Sequence, residues 1–212
     1  MELMFKGKKA IIFDMDGVLV ESEGLWKQAE FEVFSSLGAK VTEKITQQTQ
    51  SMTTREVTRF WYKKFPWKGM TLFEAEEMVI QRVAELICSE DCATLGIRAY
   101  INNLKALGHK IGLATNAPQK IIPIVLEKTN TADLFDIVSS ADQEERGKPY
   151  PDIYLSTARK LMVKPQECAV IEDSQRGMKA AACAGMTVIA YTGGNKNMTF
   201  KWADHTIDRF QG

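Results

Sequence analysis

No excess of either charge marks this chain: 27 Lys and Arg stand against 27 Asp and Glu, for a formal net charge of zero. That balance removes the electrostatic footprint expected for binding nucleic acid or an anionic membrane surface. It leaves open a small anionic ligand held by a few local charges. No apolar run approaches the roughly 18 residues of a membrane span. The first residues, MELMFKGKKAIIFDMD, have neither a long apolar stretch nor a small-residue cleavage site, so they do not read as a signal peptide. Cysteine is scarce and unpatterned. Cys88, Cys92, Cys168 and Cys183 form no CxxC, and the reading is of reduced, mostly buried thiols in a cytoplasmic protein. Cys88 and Cys92 have the spacing to share a helix face, but two further ligands for a metal are missing nearby. Internal repeats and low-complexity tracts are also absent. The 212 residues therefore suit one large domain, or a core with a small insert.

What is present is an alternation of strand and helix patterns. The apolar runs KKAIIFDMD (8–16), KIGLATN (110–116), DIVSSAD (136–142), CAVIEDS (168–174) and TVIAYTGG (187–194) read as strands, with HTIDRF (205–210) weaker. Most lack in-out alternation, as strands covered on both faces do. Helical patterns separate them. RAYINNLKALG places Tyr100, Ile101, Leu104 and Leu107 on one face and stops at Gly108. PQKIIPIVLEK carries Pro123, which argues for a break or a late start. PDIYLSTARKLM begins at Pro151, and SQRGMKAAACAG has Ser174 as N-cap and Gly185 as stop. This is the order of βαβ units, and it predicts an α/β fold: a Rossmann-like parallel sheet with helices on both faces.

From about residue 21 to 92 no strand pattern appears. GLWKQAEFEVFSSLG puts Trp26, Ala29, Val33 and Leu37 on one stripe. TTREVTRFWYKKF opens with a capping box, Thr53 to Glu56, and buries Val57, Phe60 and Trp61. TLFEAEEMVIQRVAELI opens with another, Thr71 to Glu74, ahead of Ala75, Met78, Val79, Val83, Leu86 and Ile87. The expectation is a small helical bundle, 21–92, inserted after the first strand of a core formed by 1–20 and 93–212. Trp61 and Trp67 are read as filling its interior, and Trp26 either fills it or touches a ligand.

Chemistry-bearing residues collect at the strand ends. Asp14 and Asp16 end the first strand, one residue apart and followed by Gly17, either as a plain Asp-Gly turn or as a site. Thr115 and Asn116 end the second. Lys148 lies in a Gly-Lys-Pro loop, and Glu172, Asp173 and Ser174 end another strand. In an open parallel sheet the carboxyl ends lie on one edge, where ligands bind. Four acids converging there call for a cation, and oxygen ligands with few other donors favour Mg²⁺ over zinc. Taken singly, Lys148 reads equally as a solvated loop charge, Thr115 as a helix cap and Glu172 as a structural carboxylate.

Taken together, DMDGV, Thr115, Lys148 and the Glu172-Asp173 pair resemble, in order and spacing over about residues 8–208, the four motifs of the haloacid dehalogenase superfamily in its Mg²⁺-dependent phosphatase and phosphomutase branch. The segments SEGLW and RGKPYPDIYL narrow the resemblance to the β-phosphoglucomutase-like and sugar-phosphate phosphatase group. It is similar to the phosphatases of 2-deoxyglucose 6-phosphate and hexitol phosphates. The resemblance implies that the helical insert is a cap closing over the site. It implies Asp14 as nucleophile and Asp16 as general acid and base. Mg²⁺ would be held by Asp14, Asp173 and the backbone carbonyl of Asp16, with Glu172 behind them. Thr115 and the backbone around Asn116 would hold the phosphoryl oxygens, and Lys148 would neutralise them and fix Asp14.

Departures from the group's pattern are Glu21-Ser22 in place of Asp-Ser or Asp-Thr, and Gly24 in place of proline. The loop QTQSMTTRE lacks the usual glycine and any obvious mutase lysine. Trp26 stands where β-phosphoglucomutases tend to carry histidine, which favours a phosphatase; its ring face is a candidate to stack on a sugar. Arg55 is a candidate contact for the distal part of the substrate, or a solvated charge. The expectation is a monomeric phosphatase acting on a small phosphorylated sugar. The alternatives are a β-phosphoglucomutase or a non-catalytic phosphometabolite sensor.

Overall fold

The computed structural model describes residues 4–49, 52–195 and 200–211. The first strand, β1 (Ala10–Phe13), is followed by four helices: α1 (Glu23–Ser36), α2 (Glu43–Thr46), α3 (Thr54–Lys64) and α4 (Leu72–Ser89). From there strands and helices alternate: α5 (Ile97–Ala106), β2 (Lys110–Thr115), α6 (Ile122–Lys128), β3 (Ile137–Ser140), α7 (Asp152–Lys160), β4 (Cys168–Glu172), α8 (Gln175–Cys183), β5 (Thr187–Tyr191) and β6 (His205–Ile207). The strands form one sheet in the order β3-β2-β1-β4-β5-β6. Every pairing in it is parallel.

The lack of alternation in the strands has a direct cause. Ile11 and Phe13 join Leu113, Ala169, Ile171 and Ile189 on one face, under α5, α6 and the helical segment. Ala10 and Ile12 join Ala114, Cys168, Val170 and Val188 on the other, under α7 and α8. Both faces are covered, so both sets of side chains are apolar. No described helix is long and apolar enough to cross a membrane.

The helical segment leaves and rejoins the sheet through two stretches running side by side. Val20 bridges Ala93, the Glu21 N–H donates to the Cys92 carbonyl at 2.8 Å, and the Thr94 N–H donates to the Leu19 carbonyl at 2.9 Å. Both expected capping boxes are present, at Thr53 with Glu56 and Thr71 with Glu74. Trp61 is fully buried, stacked on Phe34 and Phe65 with ring centroids 5.8 and 6.1 Å away, and edge-on to Phe60 at 5.5 Å. Trp67 is buried beside it.

Several local readings change. β1 stops at Phe13 because the chain turns at once, with the Val18, Leu19 and Val20 N–H groups all donating to the Met15 carbonyl. Pro123 falls in the first turn of α6, where no N–H is needed, and a 3₁₀ turn from Gln119 to Ile121 precedes it. Met78 and Leu107 are exposed rather than buried, Leu107 because it caps α5 instead of lying within it. Cys88 and Cys183 are also exposed, and α4 ends at Ser89, so Cys88 and Cys92 do not share a helix. The short α2 went unseen in the sequence. The loop QTQSMTTRE includes Gln50 and Ser51, which lie outside the described residues.

The aromatic layer around Trp61 generates a prediction. Trp61→Ala lowers stability by about 3–5 kcal/mol through lost burial and a residual cavity. Trp61→Phe costs much less, because the buried indole N–H has no acceptor to lose. Denaturant unfolding measures both, and equal losses in the two variants would contradict this account.

Candidate active site

The carboxyl ends of β1, β2 and β4 meet beneath the helical segment, and one ammonium ties two of them together. The Nζ of Lys148 donates to Asp14 Oδ1 at 2.6 Å and to Glu172 Oε1 at 2.7 Å, and all three residues are buried. Asp14 still extends the ladder, its N–H donating to the Ile171 carbonyl at 3.0 Å. Lys148 lies in the loop after β3, and Asn116 fixes that loop at both of its amide atoms. Asn116 Oδ1 accepts the Lys148 N–H at 2.8 Å, and its Nδ2 donates to the Lys148 carbonyl at 3.2 Å. Arg176 donates to the same carbonyl at 2.6 Å.

Glu172 is satisfied on both oxygens. Oε1 also accepts from the Tyr154 hydroxyl at 3.0 Å, and Oε2 accepts the Ser174 N–H and hydroxyl, each at 2.9 Å. Its role is to hold Lys148 from behind. Asp173 differs: among the described residues its carboxylate has no side-chain partner, and its one hydrogen bond comes from its own backbone. It sits over Gly17, where an added Cβ would fall 1.9 Å from Asp173 Oδ2. Gly17 also has φ of +76°, so only glycine serves both the turn and the close approach. Gly177 does the same for Glu172, whose Oε1 would lie 1.5 Å from a Cβ there.

Asp16 is held by neutral donors. The Ser22 hydroxyl and the Trp26 indole N–H, the latter at 2.9 Å, both donate to its Oδ1. Trp26 belongs to α1, so the helical segment reaches Asp16 directly. The Thr115 hydroxyl oxygen accepts the Ala117 N–H at 3.0 Å, which leaves its proton free to donate elsewhere.

The charges do not balance. Ligand atoms of Asp14, Glu172 and Asp173 lie within 4.8 Å of one another, against the single ammonium of Lys148. Burial, then repulsion from Glu172, pushes Asp14 up to about 7, with Lys148 opposing. Burial, then Glu172 and Asp14, pushes Asp173 up to about 9. Burial also raises Asp16, with Ser22 and Trp26 pulling the other way. Burial works against the Lys148 charge, but Asp14 and Glu172 outweigh it and hold the ammonium well above its ordinary value. An oxygen-only donor set with surplus negative charge, and one carboxylate with no side-chain partner among the described residues, fits a divalent cation.

The residues singled out in the sequence fall into distinct places. Asp14, Lys148, Glu172 and Asp173 come together. The carboxylate of Asp16 stands outside the three-carboxylate cluster. Asn116 spends its side chain on the Lys148 backbone, and Trp26 spends its N–H on Asp16. Arg55 is 67% exposed and lies 3.8 Å from Glu76. Four residues near the charges were not assigned to the site from sequence: Ser22, Tyr154, Arg176 and Gly177. Ser22 and Gly177 had a signal, being close in sequence to Asp16 and Glu172. Tyr154 and Arg176 had none, because both act through the folded packing of α7 and α8.

The raised carboxyls set a pH dependence. Each has a folded value above its unfolded one, so its stability contribution is complete below about pH 4. It is lost as pH rises, through about 7 for Asp14 and about 9 for Asp173. In chelator, the melting temperature is expected to fall between pH 6 and pH 9, and Asp173→Asn flattens that fall by a few degrees, at about 2–4 °C per kcal/mol for a chain of this size. Parallel curves for wild type and variant would refute the assignment.

Residues 8–185 match the family model described as haloacid dehalogenase-like hydrolase. Hexitol phosphatase B of Escherichia coli is 36% identical over 181 residues, covering 85% of this chain and 82% of the relative. A phosphorylated carbohydrates phosphatase of Thermotoga maritima is 31% identical over 178 residues, covering 84% and 82%. The crystal structure of a CbbY mutant from Rhodobacter sphaeroides in complex with xylulose-(1,5)bisphosphate superposes with a TM-score of 0.85 at 25% identity, covering 96% and 95%. With the family model spanning most of the sequence and the motif residues gathered at one sheet edge, this chain belongs to the haloacid dehalogenase-like hydrolases.

Proposed function

We propose that the protein is a Mg²⁺-dependent phosphatase of small phosphorylated sugars or sugar alcohols, acting through an aspartyl phosphate on Asp14. One observation carries the reading: the two aspartates of the first motif sit in different electrical settings. Asp14 shares the Lys148 ammonium, which favours its ionised, nucleophilic form. Asp16 is half-buried, raised, and bonded only to neutral donors, which suits a carrier of one proton. The names of the Escherichia coli and Thermotoga relatives support the substrate class.

The obstacle is charge. A carboxylate meeting a phosphate dianion at about 4 Å is opposed by roughly 8 kcal/mol at an effective dielectric near 20. Mg²⁺, held by Asp14, Asp173 and the backbone carbonyl of Asp16, would supply positive charge against the phosphoryl oxygens. Lys148 supplies the rest from the protein, and the free Thr115 proton donates to a phosphoryl oxygen. Asn116 acts by fixing the Lys148 loop. An Asp14 oxygen bonds to phosphorus as the bond to the leaving alkoxide breaks, and Asp16 gives that alkoxide its proton. Asp16 then takes a proton from water, whose oxygen attacks phosphorus, releasing phosphate and restoring Asp14. The helical segment, as a cap, keeps bulk water from the acyl phosphate. The same reading makes the enzyme a cytoplasmic monomer, with no disulfide expected for its free cysteines.

The primary test is phosphate release from a panel of hexose, hexitol and glycerol phosphates with Mg²⁺. Asp14→Asn or chelation is expected to abolish release. Binding of a sugar phosphate by the wild type without any turnover would sink the enzyme reading. A second prediction isolates Asp16. Asp16→Asn lowers turnover of hexitol phosphates by about 10²–10⁴-fold. It slows cleavage of p-nitrophenyl phosphate less, because that leaving group departs without a proton; equal losses on both would remove Asp16 from the acid's role.

A further inference from the structure

The helical segment contains a carboxylate that its own packing does not explain. On α1, Ala29, Val33 and Phe34 are buried, and Trp26 and Leu37 are half-buried against the same core. At about 3.6 residues per turn, Glu30 falls inside that arc, between Trp26 and Phe34. The outward positions Lys27, Gln28 and Phe31 are exposed. Glu30 is half-buried, yet among the described residues no hydrogen bond or ion pair engages its carboxylate. Lys27, one turn back, attracts it weakly, but the Lys27 ammonium is bonded to Glu23 at 2.6 Å. Burial pushes the Glu30 carboxyl up to about 7. Among the described residues the buried indole N–H groups of Trp61 and Trp67 do not reach it either, being themselves without acceptors.

Direction decides what the group is for. Side chains on a helix lean toward its N-terminus, so Glu30 lies over the turn that Trp26 occupies. Trp26 is the residue that reaches Asp16. Glu30 therefore stands about 6 Å further along the axis, one turn beyond Trp26 on the stripe of α1 whose first turn meets Asp16. An alcohol portion that ran from a phosphoryl group at Asp14 along this stripe would reach it.

We propose that Glu30 is a specificity-determining residue that accepts hydrogen bonds from hydroxyl groups on the polyhydroxylated leaving group. The inference rests on the phosphatase reading and adds its selectivity. A carboxylate takes two neighbouring hydroxyls at once, and it repels a second phosphate. Glu30 thus selects monophosphates of neutral polyols over bisphosphates. An unpartnered acid in an apolar arc also costs stability, so replacing it with an apolar residue is expected to stabilise the fold while damaging recognition.

The experiment compares wild type, Glu30→Leu and Glu30→Gln with three substrates in Mg²⁺: a hexitol 6-phosphate, a hexose bisphosphate and p-nitrophenyl phosphate, which has no hydroxyls. For the hexitol phosphate, KM is expected to rise roughly 10- to 100-fold in Glu30→Leu and less in Glu30→Gln, which still bonds hydroxyls. For p-nitrophenyl phosphate it stays unchanged, the bisphosphate gains relative to the hexitol phosphate, and the melting temperature of Glu30→Leu rises. Equal losses on the hexitol and p-nitrophenyl esters, or no change on the hexitol ester, would overturn the proposal. Wild type that cleaves p-nitrophenyl phosphate but no polyol phosphate would overturn the substrate class and Glu30's role with it. Wild type that cleaves neither would instead overturn the phosphatase reading itself.

Discussion

A single buried ammonium organises the carboxyl edge of the sheet in this protein. Lys148 joins the end of β1, through Asp14, to the end of β4, through Glu172, from a loop that belongs to neither strand. A lysine taken out of water is costly unless its charge is paired and its protons are bonded. That requirement propagates outward. Glu172 must be aimed at Lys148, which the Tyr154 hydroxyl and the Ser174 N–H and hydroxyl secure. Gly177 must be glycine to leave Glu172 its space. The Lys148 backbone must be anchored, which Asn116 and Arg176 do from two other elements. The parallel sheet supplies the frame, since only parallel strands deliver all their carboxyl ends to one edge.

The second carboxylate of the motif answers to a different part of the molecule. Asp16 takes one donor from Ser22, at the junction, and one from Trp26, on the first helix of the inserted segment. The two aspartates are thus divided: one is fixed by the sheet, the other by the segment above it. The two side-by-side connections at Val20 and Ala93 are the physical link between these parts. Within the segment, the aromatic layer of Phe34, Trp61 and Trp67 sets the position of α1, and so of Trp26 and Glu30.

Local order was the most legible. The strands announced themselves because burial on both faces leaves only apolar residues in a row, and the helix starts at Thr53 and Thr71 because a capping box is a contact between residues three apart. Errors arose where neighbours, rather than sequence spacing, decide burial. Met78 and Leu107 have the right periodicity, but the fold leaves them 36% and 61% exposed. The protein partners of the Asn116 amide and the Trp26 indole N–H, Lys148 and Asp16, were not visible either, because a sequence displays donors and acceptors but not which protein groups they meet first.

From the sequence alone came the parallel α/β architecture, the helical insertion and the residues Asp14, Asp16, Lys148, Glu172 and Asp173. These follow from periodicity and from chemistry concentrated at strand ends. Tertiary structure alone decided the contacts among them: Lys148 bonded to Asp14 and Glu172, Asp173 without a side-chain partner among the described residues, and Asp16 tied to Trp26. Bringing Asp14 to Lys148 closes a span of 134 residues, and no local pattern records the contacts at the far side of such a closure. The partners of Tyr154 and Arg176, and the half-burial of Glu30, exist only once the sheet has been assembled and the helices have been packed against it.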